Sequence, residues 1–124
     1  MKDTRPVNLD IGTIKLPLTA YTSILHRISG VFIFAGVAVL LCLLGASLES
    51  EASFQEAIEN LQSPIAKFVL WVVLAGLIYH SVAGVKHLLM DLGIGESLEG
   101  GLLGAKLTFI ISIALILVAG VWIV

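Results

Sequence analysis

Three stretches of this chain, 28–48, 68–85 and 107–124, contain no Asp, Glu, Lys or Arg. Each approaches the roughly 20 residues that an α-helix, rising ~1.5 Å per residue, needs to cross a hydrocarbon core ~30 Å thick. In lipid a backbone must satisfy its own hydrogen bonds, which leaves helices or a closed barrel. The apolar runs are continuous and lack the period-two alternation of barrel strands, so helices remain. Composition agrees, because 58% of the 124 residues are hydrophobic and only 13% charged, far more apolar sequence than a soluble core requires. The expected fold class is an all-α membrane protein with three transmembrane helices. It forms a single domain over 1–124, with a leader at 1–20 and spans at about 22–48, 66–89 and 104–124. Lysines flanking the second and third runs have stems long enough to snorkel and lengthen those spans.

Charge placement sets the expected orientation. Lys2, Arg5, Lys15 and Arg27 precede or open the first span, Lys86 and Lys106 border the second loop, and Lys67 alone lies in the first loop. The positive-inside rule then puts the amino terminus and the second loop on the cytoplasmic side. The net charge of −2 and the scattering of the basic residues argue against nucleic acid as a partner. Cys42 is the only cysteine and reads as a small packing residue inside an apolar run. The first run follows a long polar leader and exceeds a signal-peptide core, so the leader is expected to stay attached. Pro6, Gly12 and Pro17 break that leader into extended and turn conformations until a helix starts near Leu18. The acidic first loop, with Glu49, Glu51, Glu56 and Glu59, reads as a short solvated connector. Five glycines in "DLGIGESLEGGLLGAK" argue against a continuous helix through the second loop.

Depth now separates the polar side chains. His80 is five residues from the inner end of the second run, about 7–8 Å at helical rise, and His87 lies just beyond that end. His26 and Arg27 sit at the inner end of the first run, with Ser23 one turn earlier on the Arg27 face. All three histidines are therefore expected near one membrane boundary. An ionisable residue inside a span suggests function by default, and His80 is the best such candidate. It shares a face with Gly76, Ala83, Gly84 and His87, a trough that suits either a flat macrocycle or a closely packed helix. Spacing alone leaves both open. Seven residues separate His80 from His87, about 10 Å along the axis, so these two cannot grip one iron from opposite sides. The second ligand must come from elsewhere, with His26 one candidate. Arg27 suits a carboxylate, a quinone head group or a lipid phosphate. The Ser23 hydroxyl suits a quinone carbonyl or a bond to its own backbone. Tyr21, Trp71, Tyr79 and Trp122 fit interfacial belts or packing. The third span offers only Thr108 and Ser112 as polar groups and reads as structural.

Taken together, "RPVNLDI", "SILHRIS" and "HSVAGVKHLLMDLG" resemble the cytochrome b membrane-anchor subunits of succinate dehydrogenase, and the resemblance covers nearly the whole chain. Lys86 departs from the pattern, standing where that family commonly has arginine. The resemblance implies half of a heterodimeric haem-binding bundle. A haem b would take His80 as one axial ligand and the other ligand from a second membrane-anchor subunit. It further implies His26 and Arg27 at the haem propionates, His87 as a further haem-side contact, and Ser23 and Arg27 at a ubiquinone pocket beside an iron-sulfur subunit. A flavoprotein subunit would attach through the iron-sulfur subunit, and phospholipid would surround the spans. The chain alone would hold no complete active site. The complex would be a succinate:quinone oxidoreductase of the tricarboxylic acid cycle and respiratory electron transport. Three rivals remain: a fumarate reductase anchor, a small transporter or channel subunit with a proton-path histidine, and a purely structural scaffold. Against the second, no span carries an Asp, a Glu or a breaking proline.

Overall fold

The computed structural model describes residues 7–124. Expectations resting on residues 1–6, notably the charges of Lys2 and Arg5 and the "RP" of the leader motif, lie outside the described residues. The leader from Val7 onward folds into a local turn. Asn8 Oδ1 accepts from the Asp10 amide at 3.0 Å, and Asp10 Oδ1 accepts from the Gly12 amide at 3.0 Å. These are bonds that short polar side chains make to nearby backbone in place of helix.

Four helices follow: α1 (Leu18–Ser47), α2 (Glu51–Leu61), α3 (Pro64–Asp91) and α4 (Leu98–Ile123). Helix α1 starts where the sequence places it, directly after Pro17, whose extended backbone forms the cap position. Ser63 caps α3 by accepting from the Ala66 amide, with Pro64 in the first helical position, where its missing N–H costs nothing. Ser97 caps α4 in the same way through the Gly100 amide. Helices α1, α3 and α4, of 30, 28 and 26 residues, are long and apolar enough to cross a membrane.

Two segments differ from expectation. The first loop is no plain connector, because it contains α2, an 11-residue helix capped by Ser50 with Glu51 in its first turn. An acidic residue at a helix N-terminus meets the positive end of the helix dipole. The second loop is short. Its turn uses Gly93 and Gly95 at φ of 81° and 76°, a conformation that side chains resist. Helix α4 then runs through Gly100, Gly101 and Gly104. Packing overrides their poor propensity: a Cβ at Gly100 would lie 2.8 Å from the Gly95 Cα.

The interior is built from small residues. Ala83 and Ala105 are fully buried, as is Thr22, and Ser29, Thr108 and Ser112 are nearly so. Large apolar side chains face outward instead, for example Phe34 at 79% and Val121 at 83% exposure. That inversion is expected where lipid is the solvent, since small residues let helix backbones approach closely. Helix α3 packs against both α1 and α4. Gly76 of α3 marks the tightest α1 contact, where a Cβ would stand 2.8 Å from Phe32 Cδ1. The Trp71 indole donates to the Ile116 carbonyl at 2.9 Å and ties α3 to α4. Trp122, 80% exposed, keeps the outward position of a belt residue.

Candidate functional site

Helix pairing brings the three histidines together. The rings of His26 on α1 and His80 on α3 stack, with centroids 4.2 Å apart and planes at 13°. His87 stands beside His26, with ring centroids 5.1 Å apart and planes at 49°. Glycines make this possible. A Cβ on Gly30 would lie 3.0 Å from His80 Cε1, and one on Gly84 would lie 3.5 Å from His26 Nε2. Thus the small-residue trough of α3 is filled by α1, through Phe32 and Ile33 over Gly76 and through His26 over Gly84. The helix-packing use of the trough is realised, and any macrocycle must reach His80 from outside it.

His80 is held through one nitrogen. Its Nδ1 lies 3.0 Å from the His26 carbonyl oxygen and 3.1 Å from Ser29 Oγ. Ser29 in turn donates to the same carbonyl at 2.8 Å. A carbonyl oxygen can only accept, so Nδ1 carries a hydrogen, and in the neutral ring the lone pair then sits on Nε2. Among the described residues no group bonds to Nε2, and a neutral imidazole in that tautomer is the form that ligates metal.

The stacking also removes one option left open by the sequence. Two imidazoles on opposite faces of one metal, each about 2 Å away through a ring nitrogen, hold their ring centres roughly 6 Å apart. His26 and His80 are face to face at 4.2 Å, so His26 is no opposite ligand to His80. Among the described residues no cluster of three or more His, Cys, Asp or Glu side chains can enclose a metal ion.

Arg27 is exposed and Ser23 half-buried, one turn apart on α1. Thr22, Ser29, Ser47 and Thr108 all direct their hydroxyls at carbonyls of their own helix. Among the described residues the Ser23 hydroxyl bonds to none, so it is available to another acceptor or donor. Asp91 is exposed at the end of α3. Sequence reasoning missed Ser29, which lies three residues after His26 on the buried face. The Tyr79 hydroxyl donates to the Thr22 carbonyl at 2.9 Å, which fixes α1 one residue before Ser23. Two cavities, of about 460 and 510 Å³, lie between α3 and α4, the first bordered by Lys86 and Gly104 and the second by Lys67 and Trp71. No histidine lines either.

Three helices long enough to cross a membrane, with three histidines gathered where α1 meets α3, define the class, a small helical membrane protein. The model of the succinate dehydrogenase/fumarate reductase transmembrane subunit family matches residues 1–119. The succinate dehydrogenase cytochrome b556 subunit of Coxiella burnetii is 38% identical over 124 residues, covering 99% of both chains. That of Paracoccus denitrificans is 33% identical over 98 residues, covering 79% of this chain and 75% of the relative. The mitochondrial cytochrome b560 subunit of Mus musculus is 35% identical over 96 residues, covering 73% of this chain and 55% of the relative. The chain belongs to the succinate dehydrogenase/fumarate reductase transmembrane subunit family. Within it the chain stands with the cytochrome b556 membrane-anchor subunits of succinate dehydrogenase, and the transporter alternative gives way.

Proposed function

We propose that this chain anchors the flavoprotein and iron-sulfur subunits of succinate dehydrogenase to a bacterial cytoplasmic membrane, with its amino terminus inside. It forms half of a two-subunit haem b site and one wall of a ubiquinone pocket. The observation that carries the reading is the state of His80, whose Nδ1 is tied to two protein oxygens while Nε2 is left as a lone-pair donor. The donor set would suit a haem iron: the His80 imidazole would hold it from this chain, and a second membrane subunit would supply the other protein ligand. When bound, the haem supplies a one-electron store beside the quinone pocket.

The remaining roles belong to the chain itself. His26, stacked on His80, and Arg27 supply hydrogen-bond donors for the propionates, and His87 stands behind them. Arg27 also places a permanent positive charge where quinone oxygens gain negative charge on reduction. The uncommitted Ser23 hydroxyl donates to a quinone carbonyl and offers a first station for its proton. Two electrons and two protons convert quinone to quinol. The electrons arrive from succinate through the partner subunits, and the protons come from the cytoplasmic boundary where Ser23 and Arg27 lie.

The test is the reduced-minus-oxidised absorption spectrum of the purified complex. A b-type band in the wild type that disappears in His80→Ala and persists in His87→Ala supports the assignment. A band that survives His80→Ala, or a fully active wild-type complex without haem, refutes it.

A further inference from the structure

We infer that Ser29 is a positioning residue for the haem ligand: its hydroxyl sets the ring orientation and electron-donating strength of His80. The inference rests on the proposed ligation by His80. Three polar atoms form a closed triangle, with Ser29 Oγ 2.8 Å from the His26 carbonyl, His80 Nδ1 3.0 Å from that carbonyl, and Nδ1 3.1 Å from Ser29 Oγ. The chemistry of the atoms orders the two hydrogens. The hydroxyl hydrogen points at the carbonyl, so an oxygen lone pair of Ser29 faces Nδ1–H, which is shared between both oxygens.

A ring held at one nitrogen by a single acceptor can rock about that bond. A second acceptor, on a side chain only 8% exposed, fixes its plane. On the same edge of the ring Gly30 admits Cε1 and Nδ1, with no room for an additional carbon, since a Cβ there would lie 3.0 Å from Cε1 and 3.5 Å from Nδ1. Ser29 therefore holds His80 through Nδ1, together with the His26 carbonyl, while Gly30 lets the ring approach α1 closely enough for both bonds. Sharing the Nδ1 proton between two oxygens also draws it away from the ring and increases the electron density at Nε2, which favours the ferric state of a bound iron. Both effects pass through His80, since Ser29 makes no direct contact with the haem in this role.

The experiment uses the assembled complex carrying Ser29→Ala or Ser29→Thr, with haem content, low-spin EPR g-values and haem midpoint potential as readouts. Loss of the hydroxyl is expected to move the largest g-value, raise the midpoint potential and speed haem loss on washing about 10-fold, the low end for removal of a partner that orients a metal-bound histidine. Ser29→Thr, which keeps the hydroxyl, is expected to restore the wild-type values. Should Ser29→Ala fail to retain haem, wild-type g-values in Ser29→Thr still support the inference. Unchanged g-values and potential in haem-replete Ser29→Ala overturn it, as does a Ser29→Thr complex that matches Ser29→Ala, because the side chain then acts by packing alone. Retention of the b-type band in His80→Ala sinks the ligation itself and is recognised separately from either outcome.

Discussion

Gly30 lies beside the ring of His80, and one added methyl group probes whether that ring is held in a fixed place. A Cβ there lies 3.0 Å from His80 Cε1 and 3.5 Å from Nδ1. Non-bonded carbons are at rest about 3.5–4.0 Å apart, so the ring must withdraw by about half an ångström. Its Nδ1 bonds, already at 3.0 and 3.1 Å, then stretch past the range of good geometry. Weakening two such bonds costs about 0.5–1.5 kcal/mol each. Overpacking adds about 1–3 kcal/mol, and the better helix propensity of alanine returns about 1 kcal/mol. The net expectation for Gly30→Ala is a destabilisation of about 1–5 kcal/mol, together with a shifted or lost b-type band. Gly45→Ala in the same helix is the control, since a Cβ there meets nothing within 4 Å. Thermal unfolding of the detergent-purified complex, followed by difference absorbance, compares the two. Equal midpoints and identical spectra for Gly30→Ala and Gly45→Ala would refute the reasoning.

Arg27→Ala should depress quinone reduction well below succinate oxidation by a soluble artificial acceptor, about 10-fold or more if one charge-assisted contact is lost; equal loss in both assays would mean that Arg27 serves assembly. Ser23→Ala is expected to raise the KM for quinone while the soluble-acceptor rate stays at wild type, and unchanged quinone kinetics would remove the hydroxyl from the pocket. Tyr79→Phe deletes the 2.9 Å bond to the Thr22 carbonyl, which should cost about 0.5–1.5 kcal/mol in thermal stability, and no change in melting would contradict that. In a Cys42→Ser background, a membrane-impermeant thiol reagent should label Glu56→Cys on α2 from outside intact cells and reach Glu96→Cys, in the turn before α4, only after lysis. The reverse pattern would invert the orientation.

Much of the helical framework was legible because lipid imposes a coarse rule: long uncharged runs become helices, and all three coincide, to within one residue at their ends, with parts of α1, α3 and α4. Helix α2 was hidden by its acidic composition. Its signals were present, however, in the Ser50 cap, Glu51 in the first turn, and Phe54, Ile58 and Leu61 at helical spacing. The glycines of α4 misled for a physical reason, since propensity counts backbone entropy and omits the close approach to Gly95 that makes the missing side chain useful. At the site, the sequence identified His26, His80, His87, Arg27 and Ser23 as near neighbours in depth. It had no means of showing that His26 stacks on His80, which disqualifies it as an opposing ligand. Ser29 was illegible because a serine on a helix face ordinarily satisfies its own backbone, and only the register of α1 against α3 turns its oxygen toward Nδ1.

A structure of the assembled complex that resolves the ring of His80 decides the matter. The expected result is Nε2 about 2 Å from a haem iron, with Nδ1 still facing Ser29 and the His26 carbonyl and an imidazole of another polypeptide across the metal. Coordination through Nδ1, coordination of that iron by His26 instead, or a His80 ring with no metal beside it would contradict it.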